Sequence, residues 1–315
     1  MNDSLYRDLD HGITTIDTAY QRPELAASHL LVQDSRAAFI DVGTALAVPR
    51  LLKALEDKHI PAKNVDYVIV THVHLDHAGG AGALLRHLPH ARLVVHPRGA
   101  RHMIDPSRLI AGATAVYGKA IMQSRFGEIL PVAADRVIEA GDEFTLSVAN
   151  RPLRFVDTPG HARHHFCVAD ETSRGIFTGD TFGLAYPQFR TARGAFIFPT
   201  TTPVQFDPDA LHASIDRLLA SGPARLYLTH YGVVEDVARL GADLHRRIDA
   251  LVALALNTDG DGEARHRRLV RDLQDYFLGE LAAHGVSLSN TKSMELMAMD
   301  LELNAQGLIV WLDRR

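Results

Sequence analysis

Short apolar runs broken by polar turns fill the first half of the chain, and helical periodicity fills the end. Residues 13–20, 28–33 and 37–42 are rich in β-branched or apolar side chains and are separated by polar breaks, so they predict strands. Asp41-Val42-Gly43-Thr44 closes the last run with a turn signal. Val48, Leu51, Leu52 and Leu55 fall on one helical face, with Pro49 near the start, where proline is tolerated. A buried strand is predicted over 67–71, a helix over 81–88 and another strand over 92–96. Strand, helix and strand in alternation predict an α/β architecture with helices covering a sheet. Residues 110–126 predict one helix, weakened by Gly112 and Gly118.

Strands return at 136–138, 143–148, 153–157, 165–169 and 175–178. Their close spacing predicts antiparallel pairs in a second sheet. Residues 181–206 lack a period but carry Phe182, Tyr186, Phe189, Phe196, Phe198 and Phe206, with Pro187, Pro199 and Pro203. These rings read equally as pocket wall and as core. Asp207-Pro208 opens a helix with Leu211, Ile215, Leu218 and Leu219 on one face, and 225–228 is a strand. From Val233 onward the pattern is helical. Val237, Leu240, Leu244, Ile248 and Leu251 form one stripe, and Leu269, Leu273, Phe277 and Leu281 a second. Met294, Met297 and Leu301 begin a third, interrupted at Gly307. The break at 257–262 predicts a main domain over 1–257 and a helical subdomain over 258–315.

Composition narrows the class. The 315 residues, 46% hydrophobic and 23% charged, suit a soluble globular protein of one large domain or two smaller ones. A net charge of −5 gives no general pull toward nucleic acid or anionic lipid. No apolar run approaches the ~20 residues of a membrane span. The polar start, Met1 to Asp8, lacks the basic-then-apolar layout of a secretion signal, and Cys167 is the one cysteine, so no internal disulfide forms. The expectation is a cytoplasmic protein with a small-molecule substrate and no nucleic-acid or membrane partner. A homodimer is left open.

The chemistry concentrates in Thr71-His72-Val73-His74-Leu75-Asp76-His77-Ala78-Gly79-Gly80, where three histidines and an aspartate follow a predicted buried strand. Imidazole and carboxylate donors at that density are a metal-ligand pattern. Three more candidates occupy turns at strand ends. His161 follows Asp157-Thr158-Pro159-Gly160, Asp180 lies in Thr178-Gly179-Asp180-Thr181, and His230 lies in Thr229-His230-Tyr231-Gly232.

His72-x-His74-x-Asp76-His77, with His161, Asp180 and His230, resembles the metallo-β-lactamase superfamily over roughly residues 13–232. The resemblance implies a four-layered αββα sandwich carrying two divalent ions, with zinc the leading choice and iron or manganese the others. It implies that His72, His74 and His161 hold one ion, that Asp76, His77 and His230 hold the other, and that Asp180 bridges them. The implied reaction is attack by a metal-bridging hydroxide, oriented by Asp76, on a carbonyl or phosphoryl centre. Tyr231 and Tyr186 are candidates for contacting the developing oxyanion. Aspartate at position 180 looks like the glyoxalase II, lactonase and phosphodiesterase branches, whereas the best-known zinc β-lactamases carry cysteine there. Thr71 to Gly80 is most similar to the hydroxyacylglutathione hydrolases, although their glutathione-binding pattern is not evident. The expected function is hydrolysis of a small thioester, ester or lactone. The alternatives are a mononuclear iron persulfide dioxygenase, a phosphodiesterase, and a regulatory protein that keeps the metal site.

Overall fold

The computed structural model describes residues 5–201 and 204–315. Pro203, counted above in the stretch 181–206, lies outside the described residues, as do Met1 to Ser4 of the polar start. The described chain divides into two compact units. The first takes the residues up to Asp157, then His164–Gly179 and Ala224–Val233. The second takes Thr158–Arg163, the described part of Asp180–Pro223, and Val234–Arg315. The break at 257–262 falls inside this second unit. No helix among the described residues is long and apolar enough to cross a membrane.

Two sheets build the first unit. One has the order β1 (Tyr6–Asp8), β2 (Ile13–Asp17), β3 (Ala27–Gln33), β4 (Arg36–Ile40), β5 (Val65–Ile69), β6 (Arg92–Val95), β7 (Val137–Glu139). Pairing is antiparallel from β1 to β4 and parallel from β4 to β7. Parallel neighbours need crossovers. These are α1 (Val48–Asp57) before β5, and α2 (Leu75–Ala78) with α3 (Ala81–Leu85) before β6. After β6 come α4 (Pro97–Ile104), α5 (Ser107–Tyr117) and α6 (Lys119–Ile121). The single helix predicted over 110–126 is therefore broken. Gly118 adopts φ 80°, which ends α5, and a π-helical turn, Met122–Phe126, follows α6.

The second sheet comprises β8 (Thr145–Val148), β9 (Arg151–Asp157), β10 (Phe166–Asp170), β11 (Gly175–Gly179), β12 (Arg225–Leu228) and β13 (Gly232–Val234), paired in sequence order. As the close spacing predicts, β8 to β11 pair antiparallel, but the strand predicted at 136–138 is β7, which pairs parallel with β6 at the edge of the first sheet. β11 and β12 run parallel, because the chain leaves after Gly179 and returns at Arg225.

Between the sheets, Leu31, Ile40, Ile69 and Val94 meet Phe155, Phe166, Val168 and Phe177. The other face of the first sheet sends Leu30, Phe39, Val68 and Leu93 against Leu51, Leu55, Leu84 and Met103 of the helices. Neighbours such as Phe39 and Ile40, or Val68 and Ile69, thus go to opposite apolar layers. That is why these strands read as unbroken apolar runs.

The second unit contains α7 (Pro208–Ala220), α8 (Val237–Asn257), α9 (Gly262–His284) and α10 (Asn290–Leu312). Asp207 caps α7 by accepting from the Ala210 amide at 3.1 Å, and Ser289 caps α10 by accepting from Lys292 at 3.2 Å. α10 continues through Gly307, so the third stripe is one helix, with Met297, Leu301, Ala305 and Leu308 buried. Rings from 181–201 pack as core: Tyr186 lies 5.3 Å from Phe198, and Phe198 lies 5.8 Å from Phe277 of α9. The Arg247 guanidinium sits 4.1 Å above Phe196 and bonds Glu280, which keeps a buried cation paired.

Two polar groups in the first unit generate measurable expectations. Arg151, 2% exposed, forms a two-point ion pair with the buried Asp170, and its Nε lies 2.8 Å from Oδ1. Arg151→Met strands that carboxylate, and urea denaturation is expected to show a loss of about 3–5 kcal/mol, with partial recovery in the Arg151→Met/Asp170→Leu double variant. His29 is buried against Phe177 and Tyr227, whose rings stack on one another, with Nε2 3.1 Å from the Leu228 carbonyl. Burial holds its pKa down to about 4. The unfolded chain, with His29 near 6.5, therefore binds the extra proton first, and stability falls as pH drops from about 6.5 toward 4. Between pH 7 and 5 the wild type is expected to lose about 2 kcal/mol more than His29→Gln.

Candidate metal centre

The site in the first unit starts from a residue that the sequence presents only as part of a turn. β4 ends at Ile40, and Asp41 then bends with φ 51°. Its carboxylate is fully buried. The Thr71 amide donates to Oδ1 at 2.8 Å, the Thr71 hydroxyl to Oδ2 at 2.9 Å, and the Thr229 hydroxyl to Oδ2 at 2.6 Å. His77 Nδ1 is 2.7 Å from Oδ2. One carboxylate thus ties together the ends of β4, β5 and β12 and the first turn of α2. Glycines permit the approach: a Cβ on Gly80 would meet the Thr44 carbonyl oxygen at 2.6 Å, and one on Gly179 would meet Thr71 Oγ1 at 2.5 Å.

These contacts set which ring nitrogen each histidine offers. His77 Nδ1 faces a carboxylate and His230 Nδ1 faces the Leu25 carbonyl at 2.7 Å, so both carry the proton there and present Nε2 lone pairs. Those two Nε2 atoms lie 3.3 Å apart, and Asp76 Oδ2 is 3.4 Å from His230 Nε2 and 3.8 Å from His77 Nε2. Two lone pairs and a carboxylate converging in a buried site fit a divalent cation and repel one another without it. One donor atom from each of Asp76, His77 and His230 lies within 4.8 Å of the others. Beside them His72 Nε2 is 2.8 Å from His74 Nδ1, and His72 Nδ1 is 3.2 Å from the Thr71 hydroxyl.

The second unit brings together the other two predicted ligands. His161 Nε2 is 3.4 Å from Asp180 Oδ2, and His161 Nδ1 is 3.4 Å from the Thr200 carbonyl, which again turns Nε2 toward the carboxylate. Asp180 directly follows β11, and His161 follows β9 by four residues.

The remaining candidates divide. Tyr231 is half-buried, and desolvation pushes its hydroxyl pKa up, so it stays protonated at neutral pH. Tyr186 is buried, and its hydroxyl donates to Asp300 Oδ2 at 2.9 Å. The His165 ring is buried 4.9 Å from that of His72. Burial, with His74 nearby, holds the His164 pKa down to about 3, so that ring is neutral. Asp41 is the residue that motif reading missed. The available signal was an aspartate directly after an apolar strand, followed by glycine.

Residues 22–230 match the family model of the Metallo-beta-lactamase superfamily, and the chain belongs to that superfamily. It is 26% identical over 215 residues to the metallo-beta-lactamase fold-containing protein ST1585 of Sulfurisphaera tokodaii, covering 67% of this chain and 75% of that one. The solved structure of ST1585 superposes with a TM-score of 0.59 at 20% identity, covering 95% of this chain and 99% of that one, which shows the same fold. A hydroxyacylglutathione hydrolase of Cupriavidus taiwanensis is 30% identical over 62% of this chain and 58% of its own length. An atrochrysone carboxyl ACP thioesterase of Aspergillus fumigatus is 29% identical over 49% of this chain and 39% of its own length.

Asp41→Asn keeps the side-chain size but removes the charge that holds His77 Nδ1–H. Chelator competition is expected to show divalent-metal affinity about 10–100-fold weaker than in the wild type. Unchanged affinity would remove Asp41 from the site.

Proposed function

We propose that the protein is a dinuclear metal-dependent hydrolase that cleaves a small thioester, ester or lactone in the cytoplasm. The observation that carries this reading is the grouping of Asp76, His77 and His230 beside His72 and His74. A one-metal oxygenase would need only one of these donor sets. By the family resemblance His72, His74 and His161 would hold one ion, Asp76, His77 and His230 would hold the other, and Asp180 would serve both. Zinc, iron or manganese bound there would supply Lewis-acid polarisation of the substrate carbonyl and a water that ionises near neutral pH.

The chain's own groups then have assignable tasks. Asp76 orients the attacking water and accepts its proton. Asp41, through His77, keeps one imidazole in the donor tautomer throughout. Tyr231 offers a protonated hydroxyl for the oxyanion. Tyr186 offers another only if it releases Asp300, which makes Tyr231 the first to test. The relatives named for glutathione-thioester and acyl-carrier-protein thioester hydrolysis support an acyl thioester as the first substrate class to try.

Elemental analysis is expected to find two ions per chain, and a panel of acyl thioesters and lactones is expected to include a substrate whose hydrolysis stops with chelator and returns with zinc. His230→Ala is expected to retain about one ion and to lose about 100-fold or more in kcat/KM. One iron per chain, with oxygen uptake on a persulfide, would overturn the proposal in favour of the dioxygenase.

A further inference from the structure

The second unit contains another cluster of imidazoles and carboxylates, formed by α7 and α8. Each helix carries His-x-x-Ile-Asp: His212 to Asp216 on α7 and His245 to Asp249 on α8. In both, the isoleucine is fully buried, which places the histidine and aspartate, one turn apart, at the seam between the helices. The pairing is reciprocal. His212 Nε2 is 3.1 Å from Asp249 Oδ1, and His245 Nε2 is 3.0 Å from Asp216 Oδ1. The two Nδ1 atoms face each other at 2.6 Å, with the ring planes 10° apart.

Each ring has a carboxylate beside its Nε2 and turns its Nδ1 toward the other ring, so one small ion at the seam is within reach of both Nδ1 atoms. A carboxylate on the far nitrogen is the arrangement that orients and strengthens a metal-binding imidazole. We propose that His212 and His245 form a divalent transition-metal site through their Nδ1 atoms, with Asp249 and Asp216 as orienting acceptors. Imidazole donors select zinc, copper(II) or nickel over magnesium or calcium. Tetrahedral zinc with Zn–N bonds of about 2.0–2.1 Å holds two nitrogens about 3.3 Å apart, so the rings turn and part by about 0.7 Å. Their side chains are 25% and 24% exposed, which allows that turn. His212 and Asp249 also line a cavity of ≈ 560 Å³. An ion therefore has a route in from that cavity. Joining α7 to α8 in this way makes the site structural, separate from the hydrolytic centre.

The test counts zinc. Protein purified with its catalytic ions is dialysed against rising zinc concentrations, and ions per chain are measured for the wild type and for His212→Ala/His245→Ala. The expected result is one more ion in the wild type, with equal hydrolysis rates in both. Asp249→Asn keeps both rings and removes one acceptor, and it is expected to bind the additional ion about 10–100-fold more weakly. Equal zinc counts in the wild type and the double variant would overturn the site and would mean that the rings share a proton instead. If the double variant does not fold, an Asp249→Asn affinity equal to the wild type's overturns it by itself.

Discussion

Everything in the metal centre of the first unit depends on one buried carboxylate. Removing an ionised aspartate from water costs several kcal/mol unless donors replace the lost hydration. At Asp41 the replacements are the Thr71 amide and hydroxyl, the Thr229 hydroxyl and His77 Nδ1. Thr71 and His77 bracket the ligand run, so both of its ends are tied to the same group. The positions of His72 and His74 are therefore set by strand geometry and by this anchor together, before any ion arrives.

The surrounding architecture makes that anchor stiff. β4 and β5 run parallel and lead into Asp41 and Thr71, while β12 leads into Thr229 in the opposite sheet. The apolar layer between the sheets leaves little freedom for the strands to slide. The second unit solves a different problem. Its helices and the rings of 181–201 make their own core, with Arg247 and Asn304 satisfying buried backbone carbonyls, and Asn304 accepting from the Thr201 amide at 2.7 Å. A segment without periodic sequence is thus held by aromatic packing and side-chain bonds in place of a ladder or helix.

What could be read in advance follows from how local each signal is. The candidate ligands from His72 to His77 fall within six residues, and each of the other three follows a strand and sits beside glycine or threonine, so composition and spacing expose them. Strands buried on both faces, such as β5 and β6, announce themselves as apolar runs. Asp41 was hidden because an aspartate before Val42-Gly43 is also what a turn looks like, and its partner Thr229 is 188 positions away. The role of Phe198 was equally hidden, since its neighbour Phe277 comes from a helix far along the chain. In the sequence Gly118 reads as a weak point within one helix, whereas its positive φ breaks the segment in two.

The return of the chain at β12 also has a consequence for biosynthesis. Thr229 and His230 are translated long after Asp41, Asp76 and His77, and they dock only when Arg225–Leu228 lays down beside β11. Until then the Asp41 carboxylate lacks its Thr229 donor and the Asp76–His77 pair lacks His230 as a third candidate donor. A nascent chain emerging from the ribosome therefore cannot bring this half of the candidate centre together until β12 has been translated and laid beside β11.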